Sequence, residues 1–197
     1  MPALADTRTS SSPAMRQTAY MRVFGSANPP YGFVRFCDLQ PGHCASDRFL
    51  EDRFRASPEL LSDLDDVNRL VNRTITPQTD QELYGTTEYW TLPTTSGDCE
   101  DYVLLKRQLL IARGWPASAL LITVVRDEVG DGHAVLTART SQGDFVLDNK
   151  LPDVRIWYTT PYEFVMRQSY VNPRVWVSLE ERLGDSPPVI AGSGARD

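Results

Sequence analysis

Cys99 is the residue best suited to nucleophilic chemistry, in the segment Ser-Gly-Asp-Cys-Glu-Asp. Apolar residues at Tyr102, Leu105, Leu109 and Ala112 recur every three or four positions, which predicts a helix that begins close to Cys99. Free backbone N–H groups and the helix dipole favour a negative charge at a helix N-terminus, so we expect an accessible thiol with a low pKa. The local sequence leaves open whether Cys99 is a nucleophile or a structural thiol.

A thiol nucleophile needs a base to take its proton and a third group to orient that base. The chain has two histidines. His43 lies in a short cysteine-flanked loop and is interpreted as a surface turn residue, whereas His133 opens an apolar run that predicts a strand. Asp148 ends the next predicted strand, and Asn149 beside it is a substitute orienter. Cys99, His133 and Asp148 therefore form a candidate catalytic triad.

The strand register does not predict the contact between His133 and Asp148. A tight turn at Gln142-Gly143 would set Asp148 opposite Thr137. At about 3.3 Å per residue, that leaves the aspartate about 13 Å along the strand from the histidine. We therefore expect a wider loop, a bulge or a strong twist between the two strands.

The composition indicates one globular domain. The chain has 197 residues, of which 41% are hydrophobic and 23% charged. A net charge of -6 argues against a nucleic-acid partner, and no stretch approaches the roughly 20 apolar residues that span a membrane. We expect a flexible segment at residues 1–18, a domain at residues 19–182, and a disordered tail rich in Gly, Ser and Pro at residues 183–197.

The predicted helices precede most of the predicted strands. Two short strand-like segments, residues 18–25 and 33–37, come first. A helical region over residues 47–74 follows, with a good helix start at residues 57–59 and an apolar stripe after it, and then a polar stretch over residues 76–90. After the helix that begins near Cys99, compact β-branched and aromatic runs predict strands at residues 120–125, 133–138, 145–148, 156–165 and 174–177. This order predicts an α+β fold.

Cys37 and Cys44 flank a short loop that contains Pro and Gly and could close a disulfide. A disulfide would indicate an oxidising compartment, whereas two reduced cysteines in a cytosolic loop are the alternative that the spacing leaves open. Residues 3–5, Ala-Leu-Ala, match the small-residue pattern that precedes a signal-peptidase cut. We therefore expect a periplasmic or otherwise exported protein whose signal peptide has been removed.

Three motifs, Gly-Asp-Cys-Glu-Asp, Gly-His-Ala-Val and Val-Leu-Asp-Asn, resemble those of the bacterial transglutaminase-like cysteine proteinase family, which includes LapG-like periplasmic proteases. The resemblance covers about residues 20–177 and is sharpest over residues 97–149. It implies a papain-like, transglutaminase-like core with helices packed on an antiparallel sheet. It also implies that Cys99 is the nucleophile, His133 the general base and Asp148 its orienter.

The resemblance further implies calcium beside the cysteine, bound by acidic residues at the positions of Asp98, Glu100 and Asp101. Asp144, four residues before Asp148, is a further candidate ligand, because carboxylate oxygens suit calcium. The alternative is that Glu100 and Asp101 only complement the helix dipole. As partners, the resemblance implies a protein substrate, a large surface adhesin in the best-known members, and an inner-membrane regulatory receptor.

These observations predict an exported cysteine endopeptidase that acts through an acyl-enzyme. Two alternatives stay open. If an amine replaces water as the acceptor, the same triad is that of a transglutaminase or amidase, and the sequence does not separate the two because the shape of the groove selects the acceptor. The chain could also be a non-catalytic binding module on the same fold.

Overall fold

The computed structural model describes residues 18–46 and 53–181. The predicted tail, residues 183–197, and the predicted N-terminal segment, apart from Thr18, lie outside these residues. Within them, one antiparallel sheet has seven strands. In spatial order they are β1 (Gly25–Ala27), β9 (Trp176–Ser178), β8 (Glu163–Gln168), β4 (Leu120–Arg126), β5 (Gly132–Thr140), β6 (Gly143–Leu147) and β7 (Arg155–Ile156). The two remaining strands, β2 (Thr76–Pro77) and β3 (Ser96–Gly97), form a short parallel pair.

Four α-helices occur in the described residues: α1 (Tyr31–Leu39), α2 (Pro58–Thr74), α3 (Asp80–Tyr84) and α4 (Cys99–Ala112). The predicted helical stripe corresponds to α2, which begins at a proline and is capped by the Ser57 hydroxyl, the acceptor for the Leu60 N–H at 3.3 Å. The helix predicted near Cys99 is α4. It contacts both α2 and β5, so helices pack on the sheet as predicted.

The strand predicted at residues 33–37 is wrong, because this segment belongs to α1. Phe33, Phe36 and Cys37 are buried together, and their spacing of three and four residues places them on one face of a helix. Pro30, which cannot donate a backbone hydrogen bond, precedes the first helical residue. Cys37 is bonded to Cys44.

The main hydrophobic core lies between the helices and one face of the sheet. Leu104 and Leu110 of α4 belong to it together with Ala134 and Leu136 of β5. A smaller cluster contains the alternate strand residues, which point to the opposite face. Its buried members are Met21, Val125, Val135, Val146, Tyr162 and Leu179. Among the described helices, none is long and apolar enough to cross a membrane.

Candidate active site

Cys99 is the first residue of α4 and follows the short β2–β3 bridge. Gly97, in this strand pair, lies so close to Asp101 that a β-carbon at Gly97 would be 2.5 Å from Asp101 Oδ2. Cys99 is 7% exposed, and its thiol donates a hydrogen bond to Glu100 Oε2 at 2.7 Å. The structure therefore puts the cysteine at the predicted helix start, but buries most of it.

The predicted low pKa of Cys99 is not found in this structure. Burial raises the pKa of the thiol well above its usual value, and the charges of Glu100 and Asp98 raise it further. The backbone N–H of Ala134 acts in the opposite direction. Burial and two adjacent carboxylates therefore outweigh the favourable end of the helix dipole, since both disfavour a second negative charge.

His133 and Asp148 contact each other through His133 Nε2 and Asp148 Oδ1, at 2.8 Å. The expected wider loop or bulge is wrong, because the β5–β6 register is regular from Leu136↔Leu147 to Thr140↔Gly143. The tight turn lies at Ser141-Gln142, one residue earlier than predicted. Continued by one residue, this register sets Asp148 beside Val135, on the same face as His133 and within diagonal side-chain reach.

The side-chain carboxylate of Asp148 has three hydrogen-bond partners. Its Oδ1 accepts the Lys150 N–H at 3.0 Å as well as facing His133, and its Oδ2 accepts the Tyr162 hydroxyl. Although burial opposes ionisation, the hydrogen bond and charge of His133 bring the pKa of Asp148 below its usual value. An ionised Asp148 is an acceptor only, so His133 Nε2 carries the proton that the two groups share.

Cys99 and His133 line the same open groove, which has a volume of about 260 Å³. Asn149 also lines it, so this residue is near the site although the ring contact is made by Asp148. The other lining residues are mostly polar: Pro77, Gln78, Thr79, Glu82, Gly97, Asp98, Asp127, Asp131, Gly132 and Lys150. The groove therefore brings the predicted nucleophile and the predicted base together at one surface.

Three buried carboxylates, those of Asp80, Asp98 and Glu100, have oxygens within 4.8 Å of one another beside Cys99. Asp98 and Glu100 were predicted as metal ligands, whereas Asp80 was missed. Asp80 is 18 residues before Asp98 and reaches the cluster because the capping box of Thr79 and Glu82 starts α3 beside the β2–β3 bridge. No local spacing in the sequence indicates this approach.

Each of the three clustered residues has one buried oxygen without a hydrogen-bond partner in the described part of the chain. Burial, together with the charge of Asp98, raises the pKa of Asp80 to about 6. The same two causes raise the pKa of Glu100 well above its usual value. Burial also raises the pKa of Glu88 to about 7 and that of Asp101 to about 8. Such a concentration of partly satisfied carboxylates matches the oxygen ligands that a hard cation requires.

The other two predicted ligands do not join this group. Asp101 is adjacent, but its Oδ1 accepts the Thr91 N–H at 2.9 Å, and it lies outside the set of three. Asp144 lies near the opposite end of β6, where it contacts Arg53 at 2.6 Å and accepts the Met21 N–H at 2.8 Å. Its carboxylate is therefore neutralised by an arginine, away from Cys99.

Lys106 is a fully buried lysine that the sequence reasoning did not single out. It lies two turns after Cys99 on α4, and its Nζ is 5.7 Å from the centre of the Tyr102 ring. Burial lowers its pKa to about 7, while the charge of Asp148 opposes that shift. Lys106 is therefore a buried amine whose protonation is coupled to the charge of Asp148, the carboxylate that contacts His133.

A family model for bacterial transglutaminase-like cysteine proteinases matches residues 23–183. The chain belongs to this family. The match includes α4, β5 and β6, which carry Cys99, His133 and Asp148. The family is one of cysteine proteases, and the helices packed on an antiparallel sheet confirm the predicted transglutaminase-like fold.

The solved structures that resemble this fold include LapG of Legionella pneumophila. Its calcium-bound form aligns with a TM-score of 0.53 and 23% identity over 69% of this chain and 77% of that chain. Another LapG structure, and its EGTA-treated form, align with TM-scores of 0.49 and 25% identity over 57% of this chain. In the first of these the alignment spans 65% of the LapG chain. A search of curated proteins finds no match.

Proposed function

We propose that this chain is an exported cysteine endopeptidase in which Cys99, His133 and Asp148 form the catalytic triad. The observation that carries the proposal is the buried 2.8 Å contact between His133 Nε2 and Asp148 Oδ1, beside a groove that Cys99 also lines. A nucleophile and a base at one groove, with an orienter buried against the base, are the parts that acyl transfer requires. Family membership supports the same reaction class.

The contact with Asp148 assigns different tasks to the two ring nitrogens of His133. Because Nε2–H donates to the carboxylate, Nδ1 is the nitrogen left to accept the proton of the Cys99 thiol. The resulting thiolate attacks the carbonyl carbon of the peptide. Asp148 stabilises the imidazolium and keeps its ring oriented, which is its expected contribution to the rate.

The start of α4 supplies donors for the negative oxygen that forms during the attack. The first backbone N–H groups of a helix have no acceptor within the helix, and the residue at that position here is Cys99 itself. Collapse of the tetrahedral intermediate breaks the C–N bond, and the leaving amine takes the proton from His133 Nδ1. Water then attacks the thioester, with His133 as the base, and releases the acid and the free thiol.

We also propose that Asp80, Asp98 and Glu100 hold a calcium ion, a metal found in one LapG structure. The residues fit the ion because all are carboxylates, their oxygens converge within 4.8 Å, and each has an oxygen without a protein partner in the described residues. A bound cation supplies positive charge that offsets the carboxylates beside Cys99. Asp101 and Glu88 lie around the cluster without belonging to it, and their raised pKa values leave Asp101 largely and Glu88 partly protonated at neutral pH.

The substrate proposed here is a protein, and the finer candidate is a large surface adhesin, by the family resemblance. Export is supported by the Cys37–Cys44 disulfide, since such bonds persist in oxidising compartments. The inner-membrane regulatory receptor stays a prediction from the resemblance.

The proposal is tested by mapping new protein N-termini. Surface proteins of the source bacterium are incubated in calcium with the wild-type protein or with Cys99→Ala, and free N-termini are labelled and identified by mass spectrometry. Discrete new termini should form with the wild type alone. If Cys99→Ala yields the same termini, or the wild type yields none, endopeptidase activity through Cys99 is rejected. Parallel samples with a labelled amine separate hydrolysis from acyl transfer.

A further inference from the structure

We propose that Tyr162 is a positioning residue for this triad, because its hydroxyl fixes the carboxylate of Asp148 and its ring packs on His133. The inference rests on the proposed function of Cys99, His133 and Asp148. Tyr162 is not adjacent to these residues in sequence, and it lies in the connection that precedes β8. Its contacts are therefore a property of the fold.

The position of Tyr162 is itself firmly held. It lies between a turn of 3-10 helix at Trp157–Thr159 and the start of β8, and is 8% exposed. Its ring belongs to the hydrophobic cluster that includes Val125 and Val135, on the face of the sheet that carries His133. A side chain anchored in this way can hold its hydroxyl at a constant place.

The two oxygens of Asp148 have separate donors. Oδ1 faces His133 Nε2 at 2.8 Å and accepts the Lys150 N–H at 3.0 Å, whereas Oδ2 accepts the Tyr162 hydroxyl. Asn72 Nδ2 donates at 2.8 Å to the backbone oxygen of Asp148, so it holds the main chain and leaves the carboxylate free to rotate. Tyr162 is therefore the side chain that resists rotation of the carboxylate away from His133.

The ring of Tyr162 adds a second constraint. Its centre is 5.7 Å from that of the His133 ring, and the ring planes are inclined at 65°. This is an edge-to-face arrangement, which aromatic rings prefer. Burial and the adjacent Asp148 raise the pKa of Tyr162, so the phenol stays protonated and stays a donor. One residue thus restrains both members of the His133–Asp148 pair.

The test compares Tyr162→Phe, which keeps the ring and removes the hydroxyl, with Tyr102→Phe as a matched control. Tyr102 is also buried, and its hydroxyl donates to the Ile75 carbonyl at 2.5 Å instead of to the triad. Two signals are read in calcium: the 15N-labelled Nε2–H resonance of His133, and the rate at which iodoacetamide alkylates Cys99. The chain has two histidines, so His43→Ala assigns the resonance.

We expect Tyr162→Phe to broaden or shift the His133 resonance, to speed its exchange with solvent at least tenfold, and to slow alkylation of Cys99 at least tenfold. Tyr102→Phe should leave both signals unchanged. Wild-type values for both signals in folded Tyr162→Phe would overturn the proposal. If Cys99 is alkylated as fast in His133→Ala as in the wild type, the proposed function fails. The His133 resonance of Tyr162→Phe still decides whether Tyr162 orders the His133–Asp148 pair.

A second variant covers the case in which Tyr162→Phe does not fold. Replacement of Tyr162 alone by 3-fluorotyrosine keeps the shape of the side chain and makes its hydroxyl a stronger donor. The His133 resonance should then shift relative to the wild type, because a stronger bond at Oδ2 withdraws charge from Oδ1. An unchanged resonance in this variant would overturn the proposal.

Discussion

Replacing Asp80 by asparagine tests the acidic cluster and the one proposed ligand that the sequence did not indicate. The side-chain shape is kept, and an amide oxygen can still accept the Tyr89 N–H that Asp80 Oδ2 accepts. Asp80→Asn removes one negative charge from a buried group of carboxylates. We therefore expect Asp80→Asn to be more stable than the wild type in EGTA at neutral pH.

The size of the effect follows from the pKa. Burial and the charge of Asp98 raise the pKa of Asp80 from its usual 3.8 to about 6, so ionising it in the folded protein costs up to about 3 kcal/mol. Because the folded pKa is the higher one, the folded protein keeps the Asp80 proton over a range in which the unfolded chain has lost it. The free energy of unfolding of the wild type should therefore fall by up to this amount between about pH 4 and pH 6, and this carboxyl should cause no further loss at higher pH. The variant lacks this loss, so its advantage should grow over the same interval, to about 6–12 °C in Tm.

Thermal unfolding by circular dichroism from pH 4 to pH 8, with EGTA or with millimolar calcium, measures this difference. Calcium should stabilise the wild type more than Asp80→Asn, because the variant has lost a ligand. Asp66→Asn, at an exposed position of α2, is the control and should stay within about 0.5 kcal/mol of the wild type. Two outcomes would refute the reasoning: an Asp80→Asn variant no more stable than the wild type in EGTA at any pH, or equal stabilisation of both proteins by calcium.

Three further predictions concern the same site and the disulfide. Calcium binding near pH 6.5 should release protons, because Glu88 and Asp101 also have raised pKa values; calorimetry in buffers of different ionisation enthalpy measures this, and equal apparent enthalpies would argue against it. Gly97→Ala should lower Tm and weaken calcium binding, because its β-carbon would lie 2.5 Å from Asp101 Oδ2; unchanged values in differential scanning fluorimetry would contradict the clash. Replacing Cys37 and Cys44 by serine should destabilise the protein by about 2–3 kcal/mol in urea unfolding, and wild-type stability would show that the bond contributes nothing.

The helix and strands that carry the site were predictable because their patterns are local. The apolar spacing after Cys99 predicts α4, and the β-branched runs around His133 and Asp148 predict β5 and β6. The contact between these two residues was not predictable, because moving a two-residue turn by one position changes the partner of Asp148 by two residues. The sequence Ser-Gln-Gly-Asp does not distinguish these turns.

Contacts between residues far apart in the sequence explain why the acidic cluster was predicted incompletely. Asp80 joins Asp98 and Glu100 only through the β2–β3 bridge, and nothing in its own neighbourhood indicates that approach. Asp144 was favoured for its short distance along the chain from Asp148. Its side chain instead pairs with Arg53, which is 91 positions away. Nearness in sequence along a strand therefore predicts shared sites poorly when the residues lie at opposite ends of that strand.

The central claim, that His133 activates Cys99, is tested most directly by the alkylation rate of Cys99 measured by intact-protein mass spectrometry. Cys99 is the one free thiol among the three cysteines of the chain, so a single adduct reports on it alone. In calcium at pH 6.5, the wild type should react with iodoacetamide at least tenfold faster than His133→Ala, because only the wild type can form a thiolate–imidazolium pair. Equal rates in the two proteins would contradict the claim.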